Sequence, residues 1–226
     1  MAITHAGKLA ESTTASGTVA VTVGQNVKRG SLVVVAIGGK AASSISVSSV
    51  TDSASHSYTL YQRASALAPI CIAYVRTTSA IPSGGTITVT WSGTPSVSWV
   101  SAHAFEGAGG TRTDASTSTG VSTTAVSSVS VSGSDWLSFA VVGLPYDYGV
   151  AGETGANSST LRDDNDRNSA APWLQCASRN GTSGSTHSPG VVYGTSVDWY
   201  TVAVSWPYEA LPLGGGGGQN SGLWAV

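Results

Sequence analysis

Three groups of residues in this 226-residue chain have types and spacings that bear on chemistry. The first is an acidic run, Asp163-Asp164-Asn165-Asp166-Arg167-Asn168. Its Asp164, Asp166 and Asn168 have the alternate spacing by which a loop presents oxygens to Ca²⁺. Ser169 stands where the turn glycine belongs and Gln175 where a bidentate glutamate is needed, so an EF-hand is excluded. A solvated polar loop is the expectation, with a weak Ca²⁺ site as the alternative and no other cofactor. The second group is Tyr146, Asp147 and Tyr148, which follow Pro145 in a glycine-flanked loop. Two flat rings and an acceptor would suit a sugar; ordinary loop packing is the competing reading. The third is apolar: Leu223, Trp224 and Val226 end the chain behind nine glycine or polar residues, 214–222. Such a tether has an r.m.s. reach of about 15–18 Å. An apolar tip is costly to leave in water, so docking on a neighbouring subunit or back on the same fold is one expectation and a disordered end the other.

Catalysis has little to stand on. No Gly-x-Ser-x-Gly elbow occurs, the nearest stretch being Gly181-Thr182-Ser183-Gly184-Ser185. Of four histidines, His103 lies in a strand-like segment alternating with Trp99, Ser101 and Phe105, which reads as a hydrogen-bonded structural histidine. His5, His56 and His187 fall in terminal or loop contexts and read as solvated, without metal-ligand spacing among them. The expectation is that the protein is not an enzyme.

The elements that must position these residues are strands. Charged residues make up 10% of the chain, against about 25% in a usual soluble domain. The 37 Ser, 25 Thr and 28 Gly supply the missing polar surface, and they favour strands and turns over helices. Ten Lys and Arg against 12 Asp and Glu, scattered singly, leave no basic stripe for nucleic acid. The longest apolar run, residues 32–37, is far short of a membrane span. The first ten residues lack the basic start and apolar core of a secretory signal. Cys71 and Cys176 sit among apolar residues and are expected as buried free thiols.

Short apolar or alternating runs punctuated by turn residues predict strands at 18–23, 31–37, 45–50, 58–63, 70–76, 86–91, 97–105, 125–131, 136–142, 173–178, 191–193 and 199–206. This spacing predicts an all-β antiparallel sandwich. The halves repeat at an offset of roughly one hundred residues. Ser96-Val97-Ser98-Trp99 recurs as Ser196-Val197-Asp198-Trp199, Thr59-Leu60 as Thr160-Leu161, and Ala68-Pro69 as Ala171-Pro172. Two arrangements follow: a sandwich from each half, or one jelly roll built from both. Without a proline- or charge-rich linker the second is favoured, as one domain over residues 1–211 (halves 1–107 and 108–211) followed by the 212–226 tether. Residues 107–124 read as a surface crossover. Trp91, Trp99, Trp136, Trp199 and Trp206 are expected to fill the core or sheet faces.

The chain resembles β-sandwich, jelly-roll-like modules of tailed-phage virion proteins and some bacterial surface proteins. The likeness rests on the strand after Ser31, the strand ending Ala73-Tyr74-Val75-Arg76, Thr88-Val89-Thr90, the Phe105-Glu106-Gly107 turn, the restart at Gly133-Ser134-Asp135-Trp136-Leu137, and the closing tryptophan-containing strand at 199–206. It departs at residues 51–57, Thr-Asp-Ser-Ala-Ser-His-Ser, where a Pro-x-Gly-Trp turn belongs. The resemblance implies a structural protein on the virion, made in the host cytoplasm. Its partners would be the major capsid protein or tail proteins, with a homo-oligomer and a cell-surface glycan as further candidates, and neither nucleic acid nor membrane. Capsid decoration is the first expectation; a minor tail or host-adhesion protein with a carbohydrate-binding sandwich is the alternative.

Overall fold

A computed structural model describes residues 3–65, 67–131, 135–145, 154–164, 173–181 and 186–209. The first half contains β1 (Thr4–Thr14), β2 (Thr18–Thr22), β3 (Leu32–Lys40), β4 (Val47–Asp52), β5 (Thr59–Arg63), β6 (Ile70–Arg76), β7 (Thr86–Trp91) and β8 (Val97–Glu106). The second contains β9 (Asp114–Val126), β10 (Val129–Ser130), β11 (Trp136–Leu144), β12 (Thr154–Gly155), β13 (Thr160–Asp164), β14 (Trp173–Gly181), β15 (Thr186–His187) and β16 (Gly190–Pro207). Every ladder between them is antiparallel. The fold is all-β, as composition and turn spacing predicted.

The repeat is legible strand by strand. One five-stranded sheet runs β1-β8-β3-β6-β5, and the other runs β9-β16-β11-β14-β13. In the first half, β1-β8-β3-β6 faces β2-β7-β4, which is the strand order of an eight-stranded jelly roll with β5 moved to the edge beside β6. In the second half the facing layer shrinks to β10-β15, with β12 paired to the start of β16. Among the described residues no ladder joins the two halves, so each half closes its own set of strands. The favoured arrangement, one jelly roll with strands from both, is therefore corrected to the other one the repeat allowed.

Hydrophobic alternation explains how the layers stack. Along β3, Val33, Val35 and Ile37 enter the core of the first half, while Leu32, Val34 and Ala36 enter a seam between the two five-stranded sheets. Leu137, Phe139 and Val141 of β11 and Val202, Val204 and Trp206 of β16 meet them there. Strands covered on both faces read as continuous apolar runs, which is why 32–37 and 136–144 show little alternation. Burial of a Leu, Val, Ile or Phe side chain contributes about 1.5–3 kcal/mol. With more than ten such chains in the seam, separating the halves would be prohibitive. The five tryptophans assigned to strands are all buried, and Cys71 and Cys176 are buried and unbridged.

Several expectations need correction. Residues 114–124, read as crossover, belong instead to the long edge strand β9 (Asp114–Val126) along β16, which takes in the start of the strand predicted at 125–131. The segment Thr4–Thr14 is a strand too, bulged between His5 and Gly7 and between Lys8 and Ala10. Segments 191–193 and 199–206 are one strand, Gly190–Pro207.

Candidate functional site

Three polar clusters and one surface depression hold the residues with chemical potential. The first cluster starts where β4 ends. Asp52 Oδ1 accepts the backbone N–H of Ala54 (2.9 Å) and of His56 (3.2 Å), folding the 52–56 turn in which Ser55 adopts φ 65°. Its Oδ2 accepts the Tyr58 hydroxyl at 3.0 Å and His56 Nδ1–H at 2.9 Å. On the far side of the ring, His56 Nε2 accepts the N–H groups of Thr78 (3.0 Å) and Ser79 (3.2 Å), with Ser79 Oγ at 3.3 Å. Burial, then the Asp52 charge, pushes the Tyr58 phenol well above its usual pKa.

An exposed serine, a buried histidine and a buried aspartate in hydrogen-bonded series have the connectivity of a hydrolytic triad. Two facts argue against that use. The Nε2 lone pair that would take the serine proton already receives two backbone N–H donors, which would be orphaned by the transfer. The Ser79 N–H, a natural oxyanion donor, is turned onto the ring instead. The cluster pins the 52–58 turn to the 77–79 turn. His56, expected to be solvated, is 5% exposed.

The second cluster lies at the seam. Arg162 Nη1 lies 3.2 Å from His5 Nδ1, His5 Nε2 lies 3.3 Å from His103 Nδ1, and His103 Nε2 faces Ser101 Oγ (3.1 Å) and Cys176 Sγ (3.5 Å). Arginine only donates, so the chain has one direction: guanidinium to His5, His5 to His103, His103 to the hydroxyl and sulfur. Each imidazole then carries its proton on Nε2. Arg162 Nε also donates to Ser178 Oγ at 2.6 Å. Burial works against the charged form of Arg162, and the Cys176 sulfur works for it. Phe105 and Phe139 frame the rings. A thiol beside an imidazole is the raw material of a nucleophile. Here Cys176, His103 and Ser101 are all fully buried, and a substrate has no access to them. The relay ties β1 and β8 to β13 and β14, as the structural reading of His103 anticipated. His5 is half-buried rather than solvated.

The third cluster centres on His187, also buried against expectation. Its Nδ1 accepts Ser138 Oγ–H (2.9 Å), its Nε2–H donates to the Asn157 carbonyl (3.2 Å), and the Trp136 ring lies 5.0 Å away. Burial lowers its pKa, Arg179 adds to that, and the Asn157 carbonyl opposes it.

The depression differs in being open. It has a volume of about 340 Å³ and is lined by Thr119, Gly120 and Val121 of β9, Asp198, Trp199 and Tyr200 of β16, and Pro145. Asp198 opposes Val121, Trp199 opposes Gly120 and Tyr200 opposes Thr119. Trp199 lies across Gly120, where an added Cβ would come within 2.6 Å of the indole, and it faces the second-half core. Strand alternation sends Asp198 and Tyr200 to the opposite face, the side of the seam. The Arg63 guanidinium, from the end of β5, sits 3.7 Å from the Tyr200 ring centroid. The depression therefore opens at a mouth of the seam. Arg63 is not itself among the residues lining the depression, and its Nη1 is buried without a hydrogen-bond partner; Val121, at the rim, is 69% exposed.

Of the residues proposed from sequence, Tyr146, Asp147 and Tyr148 lie outside the described residues, immediately after the Pro145 that lines the depression. Leu223, Trp224 and Val226 also lie outside them, as do Asp166 and Asn168. Asp164 ends β13, its backbone opposite Gln175. Among the described residues no group of three His, Cys, Asp or Glu is arranged to hold a metal ion. Sequence reasoning missed Asp198 and Tyr200, whose only signal was an acid and an aromatic two residues apart in a strand. It also missed the Asp52-His56-Tyr58 spacing, whose turn-forming aspartate was the available clue. Compared with known families, curated proteins and solved structures, the chain matches none.

Proposed function

We propose that the protein is a non-enzymatic structural protein displayed on a tailed-phage virion, most directly as a decoration bound to the major capsid protein of the head. The observation that supports this best is the fate of the histidines. Every ring nitrogen of His5, His56, His103 and His187 has a hydrogen-bond contact within the protein, so none stands ready as a base. Two five-stranded sheets packed face to face, with hydroxyl-rich outer strands such as β9, suit a rigid part exposed on a particle. Low charge leaves attachment to shape and apolar contact, for which the apolar tip at Leu223, Trp224 and Val226 is the natural candidate. The test is recovery with purified particles: stoichiometric presence on heads supports the reading, and absence from heads and tails alike refutes it.

A second reading, a minor tail or host-adhesion protein carrying a glycan-binding sandwich, is favoured by one observation, the Asp198–Tyr200 depression. Recovery with tails rather than heads would select it.

A further inference from the structure

We infer that β9 is the docking edge for a second copy of this chain: two copies pair antiparallel through residues 116–121, joining their second-half sheets across a two-fold axis. This goes beyond the virion reading and does not depend on where the protein sits on a particle.

A strand at the end of a sheet presents a row of outward N–H and C=O groups, a template for another strand. β9 is such an edge, for among the described residues it pairs with β16 alone. From Asp114 to Ser122 that ladder runs without a shift, opposite Ser205 to Val197. The ends of β9 use their own side chains. Asp114 Oδ1 accepts the N–H of Ala115 at 2.8 Å, while Ser122 Oγ accepts the N–H of Thr124 at 3.3 Å and donates to its carbonyl at 2.7 Å. Between them, among the described residues, the backbone of residues 116–121 has no partner other than β16.

The other edges of the two five-stranded sheets are defended. β1 is bulged twice and carries Lys8 and Glu11, β5 is five residues long and ends in Arg63, and β13 is bulged between Leu161 and Asp163 and carries Arg162. Charge, bulges and shortness are the devices that keep natural edges apart. β9 is thirteen residues long, carries no charge after Asp114, and keeps a regular ladder as far as Ser122.

A second copy is the occupant such an edge suits. Identical strands paired across a two-fold set each side chain close to its own counterpart, so a charged strand would repel its copy. An uncharged one does not. Thr117, Thr119 and Val121 alternate onto one face, all exposed and all β-branched, the type that pairs well between strands. Val121 and Leu67 are the exposed large hydrophobics among the described residues, and pairing would cover Val121. On the opposite face Ser116 and Ser118 are held by hydrogen bonds to Ser127 and Ser128. The strand is therefore braced before its partner arrives, and docking costs little further ordering.

The test is sedimentation equilibrium of the full chain from about 5 to 500 µM, with hydrogen exchange at both ends of that range. The mass should rise from 22.6 kDa toward twice that value, with a Kd on the order of 10 µM for so small an interface. Amides within residues 116–121 should exchange more slowly as concentration rises. Thr117→Lys combined with Val121→Lys, both at exposed positions, should raise Kd at least tenfold and leave the melting point within about 2 °C. Val121→Thr, neutral and β-branched, should keep Kd within about threefold. A mass of 22.6 kDa at every concentration overturns the proposal. So does a dimer indifferent to the two lysines, which would use another surface. Slow exchange at 116–121 in a monomer also overturns it, because the chain would then be covering its own edge.

Discussion

Replacing Asp52 by alanine separates a structural pin from a latent triad. The carboxylate accepts four hydrogen bonds, and two of the donors, His56 Nδ1–H and the Tyr58 hydroxyl, belong to side chains that are 5% and 9% exposed. Leaving a buried donor unpaired costs about 1–3 kcal/mol. Two such donors, with the turn N–H groups of Ala54 and His56 losing their acceptor as well, place Asp52→Ala at about 3–5 kcal/mol. In a chain of this length 1 kcal/mol moves Tm by about 2–4 °C, so the melting point should fall by roughly 6–20 °C. Asp52→Asn retains a carbonyl oxygen and the side-chain shape and should cost about half as much. Ser79 decides between the readings. Its N–H, not its hydroxyl, carries the structural bond to His56, and the side chain is exposed. Ser79→Ala should therefore stay within about 0.5 kcal/mol of the parent, whereas Ser79→Pro, which deletes the N–H, should cost about 1–2 kcal/mol. Urea and thermal melts give the stabilities, and p-nitrophenyl acetate hydrolysis gives the activity. The pin is refuted if Asp52→Ala melts with the parent, or if the parent hydrolyses the ester and Ser79→Ala abolishes it.

Three further outcomes are expected. Thr201 Oγ1 is buried in β16 without a hydrogen-bond partner, so Thr201→Val should stabilise the protein by about 1 kcal/mol in urea denaturation. Because burial depresses the His187 pKa below its ordinary 6.5, the unfolded chain takes up that proton first as pH falls. The His187 contribution is then complete above about pH 6.5 and declines on acidification, and His187→Gln should show a smaller stability loss than the parent between about pH 7.5 and 5.5. Cys71 and Cys176 are buried and unbridged, with burial pushing the Cys71 thiol up, so a thiol reagent should label neither in the native protein and both after unfolding.

How much of this was legible in the sequence depended on whether a segment carried an unbroken period. Residues 70–76 and 86–91 have clean apolar patterns and were placed to the residue. β1 was invisible because its bulges break the alternation, burying Leu9 and Ala10 in succession. β9 was invisible because an edge strand covered mainly by small hydroxyl side chains has no apolar face to show. Histidines 56 and 187 differ from expectation for one reason: each lies outside any clear apolar run and so reads as solvated, whereas His56 in its turn and His187 in the two-residue strand β15 both satisfy backbone groups inside the fold. The Asp198–Tyr200 depression needed the register of two strands from distant parts of the chain, which no local pattern supplies.

The repeat itself contained a trap that bears on the site. Aligned by sequence, Trp99 matches Trp199. The ladders say otherwise: Leu32 opposes Phe105 and Gly38 opposes Trp99, while Leu137 opposes Trp206 and Gly143 opposes Tyr200. Counting back from the seam residues Phe105 and Trp206, the counterpart of Trp99 is Tyr200, one residue beyond the matched tryptophan. A one-residue slip reverses the face, so Trp99 packs in the seam and Trp199 packs in the second-half core. At the first-half position the aromatic is fully buried, and its indole N–H is bonded to Glu11 (3.1 Å), whose other oxygen meets Lys8 (2.5 Å). There the aromatic, the acid and the base have closed on one another. At the second-half position the aromatic is half-buried, and the arginine above it keeps an unpaired N–H. The five-stranded sheets of the two halves share a strand order, although the layers that face them differ. The same ladder position thus carries a closed indole–carboxylate–ammonium series in one half and an arginine-stacked tyrosine in the other, and it is the one-residue slip in register that decides which aromatic faces the seam.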